Sequence, residues 1–225
     1  MILGGLFLQS VSEILSSVDI SGLLLAIVFA YVIGALPLAD RVSRRQGVNI
    51  FRAGTGLAGS SNVMKSVGRK SGSVVFLGDL AKGIIVVIFA QRIGGVEDAW
   101  IVVPAAAAVV GHWNSVFTLL KGGDGLATLG GATLAVFGVA GFVGVAVAGL
   151  VALGGQKMPY TSLFSVISGY VTIAVINAMT GGDMRTMAAM GTLAFIGFGH
   201  AILGHARRRR GAPDIEMTGA EQPAE

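Results

Sequence analysis

Two stretches of this chain concentrate residue types suited to holding an anion. Residues 47–71 read GVNIFRAGTGLAGSSNVMKSVGRKS, with Gly54, Gly56 and Gly59 ahead of Ser60, Ser61 and Asn62, and Lys65 one helical turn further on. Glycines at this density let successive backbone N–H groups face one anion. Hydroxyls and a helix N-terminus add donors, and Lys65 adds charge. Residues 111–131 read GHWNSVFTLLKGGDGLATLGG, in which Lys121, Gly122, Gly123, Asp124 and Gly125 form a tight turn before a helix opening at Ala127 and Thr128. Each stretch also has a plainer reading, a flexible Gly/Ser loop whose cations serve only topology and an ordinary helix–helix turn. The G-x-G-x-x-G string from Gly54 does not mark a dinucleotide site, because no strand precedes it and no parallel sheet surrounds it.

Other candidates lie in apolar surroundings. Asp79 and Lys82 are three residues apart, on one helix face, and charges inside a span are costly unless paired. They read best as an orienting ion pair, with Lys82 as a secondary anion contact. His112 and Asn114 end an apolar helix. Ser165 and His200 fall in the last two apolar segments. A lone membrane histidine is often only hydrogen-bonded to a neighbouring helix, yet intramembrane ionisable groups are functional candidates by default. His205 and the four arginines Arg207–Arg210 read as an interfacial anchor for anionic lipid.

The elements that must position these residues are membrane helices. Of 225 residues, 53% are hydrophobic and 12% charged, against about 25% charged in an ordinary soluble domain. Mean hydropathy is +0.78. The 35 glycines suit close helix packing as well as loops. The chain has no cysteine, which excludes disulfides, Cys-ligated zinc and thiol catalysis. Apolar runs predict spans over 21–39, 72–92, 99–119, 161–179 and 186–205. The first is a retained span, since no basic n-region precedes it and no cleavage site follows. The 30-residue run 126–155 is too long for one crossing and short for two. Lys and Arg decide between these. Arg41, Arg44, Arg45, Arg52, Lys65, Arg69 and Lys70 between the first two spans, and Arg207–Arg210 after the last, belong on the cytoplasmic side. Both conditions hold only for an odd number of crossings. The fold expected is therefore all-α, with seven transmembrane helices, two of them short and turning near Gly138–Gly141. The N-terminus is outside and the C-terminus cytoplasmic. The expected divisions are an interfacial lead over 1–20, one membrane domain over 21–206, and a basic anchor with a disordered tail over 207–225. The Gly- and Ala-rich faces of the two short helices should leave a lateral groove.

The order of YVIGALPLAD, GTGLAGSSNVMKSVGRKSG, LGDLAKG, GHWNSVFTLLKGGDGLATLGG, YTSLFS and a His in the last helix resembles the bacterial acyl-phosphate:glycerol-3-phosphate acyltransferases of the PlsY type. The resemblance covers roughly residues 21–211. It implies seven helices and an active site facing the cytoplasm of the bacterial plasma membrane. It also implies transfer of a fatty acyl group from acyl phosphate to the 1-hydroxyl of glycerol 3-phosphate, giving lysophosphatidic acid. No metal or other cofactor is implied, nor nucleic acid as a partner. The partners expected are the two substrates and membrane lipid, and the chain is expected to be a monomer.

Carried over by position, the resemblance assigns catalytic roles to Thr55, Ser165 and His200. It assigns substrate-phosphate binding to Gly54, Gly56, Gly59, Ser60, Asn62, Lys65, Lys121, Gly122, Gly123, Asp124 and Gly125. The family has Ser at Thr55, Asn at Leu57, Arg at Lys65, Lys at Asp124 and Asn at Leu203. Asp124 reverses a charge, and Leu57 and Leu203 remove amides. These departures suit a second reading, a degenerate or altered-acceptor relative that binds phosphorylated lipid. A small transporter ranks third, because its polar groups should line a mid-membrane path and these gather toward one side.

Overall fold

The computed structural model describes residues 19–155 and 161–211, with backbone only for Ser162 and for 204–211. Most of the expected lead, the tail from 212, and the side chains of His205 and Arg207–Arg210 lie outside the described residues. The helices are α1 (Ile20–Ala35), α2 (Leu38–Arg45), α3 (Ser60–Ser66), α4 (Arg69–Arg92), α5 (Val102–Trp113), α6 (Leu126–Gly154), α7 (Thr161–Met179) and α8 (Met184–Gly211). Short 3₁₀ turns cover Ile50–Arg52, Asp98–Ile101 and Val116–Thr118. No strand occurs among the described residues, and the fold is all-helical.

Among the described residues, five helical segments are long and apolar enough to cross a membrane: Ile20–Arg45, Arg69–Arg92, Asp98–Thr118, Leu126–Gly154 and Met184–Leu203. Leu163–Met179 is a shorter apolar helix. The expected first span, 21–39, is not one helix. It stops at Ala35 and restarts at Leu38 as α2. Pro37 cannot donate to the helical ladder, and its ring disfavours the helical region for Leu36, which adopts φ −56° and ψ 120°. The expected span 99–119 is also shorter as an α-helix, because 3₁₀ turns flank α5 on both sides.

α6 carries the long apolar run. Its helical geometry breaks at Gly138, with φ 52° and ψ −119°, a conformation that a residue with a Cβ rarely adopts. Beyond the break the chain doubles back, so that a Cβ on Gly141 would lie 2.7 Å from the Thr133 carbonyl oxygen. The break falls where the length of the run called for a turn. The two arms and α7 are pressed together by small residues, Gly141 against Thr133 and Gly144 where Gly169 and Ile173 close in.

The same device builds the rest of the bundle. Gly34 meets the Ala108 backbone and Gly111 the Tyr31 backbone, locking α1 to α5, while Gly83 and Gly131 lock α4 to α6. Lipid tails are as apolar as leucine, so this packing holds membrane helices together where hydrophobic burial cannot. The buried core is accordingly small-sided, with Ala26, Val87, Ala90, Ala105, Val109, Leu129 and Met190, while Leu24, Val28, Ile85 and Ile88 face outward.

Candidate functional site

The two glycine-rich stretches meet. Ala58 N–H donates to the Gly122 carbonyl at 3.1 Å, and Gly123 N–H donates to the His112 carbonyl at 3.2 Å. A Cβ on Gly123 would strike the Ala58 carbonyl and the His112 ring, so only glycine fits this junction.

The first loop is organised by Asn62. Its buried side-chain amide donates to the carbonyls of Leu57 at 2.9 Å, Ala53 at 3.0 Å and Ile50 at 3.4 Å. Its carbonyl oxygen accepts from Thr55 N–H at 3.1 Å and from Ser66 Oγ at 3.2 Å. The Asn62 amide is thereby spent on the loop's own backbone and shapes the loop around Thr55. Gly54 and Gly56 take left-handed φ of 53° and 66° within that curve. Gly59 leads into α3, and Lys65 stands exposed in its last turn.

The second loop leads into α6. Gly125 is left-handed at φ 74°, and Asp124 Oδ1 accepts from Leu126 N–H at 3.2 Å, capping the helix. The other carboxylate oxygen of Asp124 lies 3.9 Å from where a Cβ on Gly59 would stand, so Asp124 faces the first loop. Trp113 Nε1–H donates to the Asp124 carbonyl at 2.8 Å, and His200 stacks on the Trp113 ring at 4.0 Å between centroids. The tryptophan thus ties the last helix to the second loop. No local spacing in the sequence relates Trp113 to His200, so its type and position alone do not mark it.

Beneath the junction lies a buried charge cluster. Lys82 Nζ sits 2.8 Å from Asp79 Oδ1 and donates to the Leu36 carbonyl at 2.5 Å. Ser115 Oγ donates to the Ala35 carbonyl, also at 2.5 Å. The Pro37 break removes their helical donors; α4 and the segment after α5 supply side-chain donors, and Leu38 N–H also reaches the Leu36 carbonyl at 3.0 Å. His112 Nδ1 is 3.8 Å from Asp79 and 3.4 Å from Thr128 Oγ1. The Asp79–Lys82 pair is the ion pair that their spacing indicated. Lys82 is committed to Asp79 and Leu36 rather than turned outward as an anion contact. A void of about 20 Å³, room for about one water, lies between this cluster, Lys121–Gly123 and Ala58.

Ser165 is placed differently. Its hydroxyl donates to the Ala148 carbonyl at 2.6 Å, bonding α7 to the second arm of α6. Among the described residues, no group of three His, Cys, Asp or Glu side chains is placed to hold a metal ion.

The profile of the family described as glycerol-3-phosphate acyltransferase matches residues 24–207. The chain belongs to this family. It is 35% identical to the glycerol-3-phosphate acyltransferase of Rubrobacter xylanophilus over 144 residues, 64% of this chain and 70% of the relative. It is 34% identical to that of Dechloromonas aromatica over 164 residues, 72% of this chain and 81% of the relative. With the enzyme of Geobacter sulfurreducens the match is 37% over 122 residues and spans 62% of the relative's length. The fold is similar to the crystal structure of PlsY (YgiH), an integral membrane glycerol 3-phosphate acyltransferase, in its glycerol 3-phosphate form. The TM-score is 0.66 at 26% identity, covering 84% of this chain and 90% of PlsY. The lysophosphatidic acid form of PlsY gives a TM-score of 0.64 with the same coverage. This acyltransferase family member is thus an integral membrane protein with the family's helical architecture.

Proposed function

We propose that the chain is a membrane glycerol-3-phosphate acyltransferase that takes its acyl group from acyl phosphate and forms lysophosphatidic acid. The observation that carries this is the Ala58–Gly122 hydrogen bond, which seats two glycine-rich, donor-rich loops side by side with Lys121 at their edge. Two phosphate-bearing substrates need two such loops in contact. The acceptor hydroxyl attacks the acyl carbonyl, the carbonyl–phosphate bond breaks, and inorganic phosphate leaves with the electron pair. The hydroxyl proton passes to phosphate or water. Acyl phosphate is already activated, so the protein's task is to hold two anions together and orient the hydroxyl.

In this reading Gly54, Thr55, Gly56, Gly59 and Ser60 cradle one phosphate, with Lys65 beside them. Lys121, Gly122, Gly123 and Gly125 hold the other. Asn62 acts through loop shape and His200 through its stack on Trp113. Ser165 serves the packing of α7 against α6. The reading further holds seven crossings, with the N-terminus outside and the site and C-terminus on the cytoplasmic face of the bacterial plasma membrane. The reversal at Gly138 supports the odd count, and the Lys and Arg positions support the orientation. It also holds the chain to be monomeric.

Purified protein given acyl phosphate and radiolabelled glycerol 3-phosphate should form labelled lysophosphatidic acid, and acyl-CoA should not replace acyl phosphate. No product above the level of a Gly123→Leu control would defeat the proposal. Asp124 favours one second reading, a less anionic acceptor such as glycerol, because its carboxylate faces the first loop. Glycerol outcompeting glycerol 3-phosphate in the same assay would select it.

A further inference from the structure

A second cavity opens on the same face as the glycine-rich loops and shares Lys121 with their junction. Its volume is about 300 Å³, and it lies between α2, the Ile50–Arg52 turn and the Val116–Thr118 turn. Arg44, Arg52 and Lys121 line it against a single acid, Asp40. Asp40 is engaged through both oxygens by Arg44 Nε at 2.8 Å and is mostly buried, whereas the Arg44 side chain is 61% exposed. Neither Arg52 nor Lys121 has an ion-pair partner among the described residues. The pocket therefore carries two uncompensated positive charges.

Its rim is apolar and strained. Phe117 and Leu119 line it, and Leu119 is 86% exposed. Leu119 and Leu120 both adopt left-handed backbone, at φ 54° and 61°, which is costly for side chains of this size. The turn is held by Leu120 N–H donating to the Ser115 carbonyl at 2.8 Å and by Thr118 Oγ1–H donating to the Lys121 carbonyl. Two leucines held outward beside three cations match the membrane interface, where apolar groups dip among acyl chains and cations meet phosphates. A site for a soluble anion would need no such rim.

We propose that this pocket holds the phosphate-bearing headgroup of an anionic membrane lipid. Arg52 and the outer edge of Arg44 surround the phosphate, with Lys121 standing between this pocket and the loop junction, and Phe117 and Leu119 lie against the first carbons of its acyl chains. Because Lys121 also borders the loop junction, an occupied pocket fixes the position of that lysine.

The test is lipid retention by the full chain, read by native mass spectrometry after extraction from phosphatidylcholine bilayers containing phosphatidylglycerol. The parent protein should keep one phosphatidylglycerol. Arg52→Gln should lower retention at least fivefold. Leu119→Gly, which relieves the left-handed backbone but removes the apolar contact, should lower it too. Arg92→Gln, at the C-terminal end of α4 and not part of the pocket lining, should not. Millimolar inorganic phosphate or glycerol 3-phosphate should fail to displace the lipid. Unchanged retention in Arg52→Gln, or in Leu119→Gly if the arginine variant does not fold, would overturn the proposal. So would displacement by inorganic phosphate, which would assign the pocket to a soluble anion. Retention is measured without turnover, so failure here leaves the acyltransferase reading intact.

Discussion

Asp124 is the position where a charge change should be most informative. Its carboxylate does two things at once, capping α6 through Leu126 N–H and presenting negative charge to the loop junction. A phosphate at the Lys121–Gly123 turn would lie about two Cα steps away, roughly 7 Å. At that distance and an effective dielectric of about 20, repulsion is ~2 kcal/mol per unit charge. Asp124 is half-exposed, and solvent screening reduces this to ~1 kcal/mol. Asp124→Asn keeps an oxygen for the cap and removes the charge, so it should raise kcat/KM for glycerol 3-phosphate roughly fivefold, mostly through KM. Asp124→Lys adds attraction but deletes the cap, which costs ~1 kcal/mol of stability. It should gain more in KM than the asparagine variant while melting at a lower temperature. The assay is acyl transfer from acyl phosphate at varied glycerol 3-phosphate, with thermal melting of each protein in the same bilayer mimetic. Equal or lower kcat/KM in Asp124→Asn, with melting unchanged, would refute the repulsion argument.

Four further outcomes are expected. Lys82→Met should destabilise the bundle by about 3–5 kcal/mol by leaving Asp79 buried and unpaired; pairing it with Asp79→Leu should recover most of the loss in thermal melting. Gly123→Ala should push the Ala58 and Gly122 strands of the junction apart and cut acyl transfer at least tenfold with helix content by circular dichroism unchanged, whereas Gly95→Ala, which meets nothing within 4 Å, should cost only backbone strain of about 1 kcal/mol. Trp113→Phe should keep the His200 stack but lose the hydrogen bond to the Asp124 carbonyl, raising KM more than it lowers kcat. The Thr186 hydroxyl, and then the Arg185 and Thr186 N–H groups, hold the Asp183 carboxyl below its usual range at the start of α8. That cap is fully present above the ordinary carboxylate pKa and is lost as pH falls through the depressed value. Protection factors from hydrogen exchange over 184–187, referred to the intrinsic rate at each pH, should therefore fall only in acid, and Asp183→Asn should remove that fall.

Much of the site was legible because it is local. The glycine spacing of 54–59 and 121–125 marked the two loops, the three-residue separation of Asp79 and Lys82 marked a buried pair, and the length of 126–155 demanded the turn that falls at Gly138. What escaped was set by contacts across the chain. Asn62 has the right chemistry for a phosphate, but five hydrogen bonds to its own loop consume it, and no spacing reveals that. Motif order singles out Ser165, and no spacing shows that its hydroxyl donates to the Ala148 carbonyl. Trp113 joins His200 and Asp124 from residues 87 and 11 positions away. The break at Leu36–Pro37 was visible as a proline but lay inside a run whose hydropathy continues through it, and hydropathy ignores the missing donor.

That break has a consequence for synthesis. When α1 leaves the ribosome, the carbonyls of Ala35 and Leu36 lack their side-chain donors, and Leu36 has only the Leu38 N–H at 3.0 Å. Lys82 follows 46 residues later and Ser115 80 residues later. Until then those oxygens must stay hydrated at the bilayer surface, so α1 cannot sink fully before α4 arrives carrying its Asp79–Lys82 pair. The pair faces the same constraint, since its lysine finds its second partner, the Leu36 carbonyl, only just past the end of α1. The first and second hydrophobic crossings are therefore matched to enter together as a hairpin, and the segment after α5 closes the last open carbonyl. A nascent chain halted before Lys82 is exposed should leave α1 extractable by alkali, and one halted after Ser115 should not.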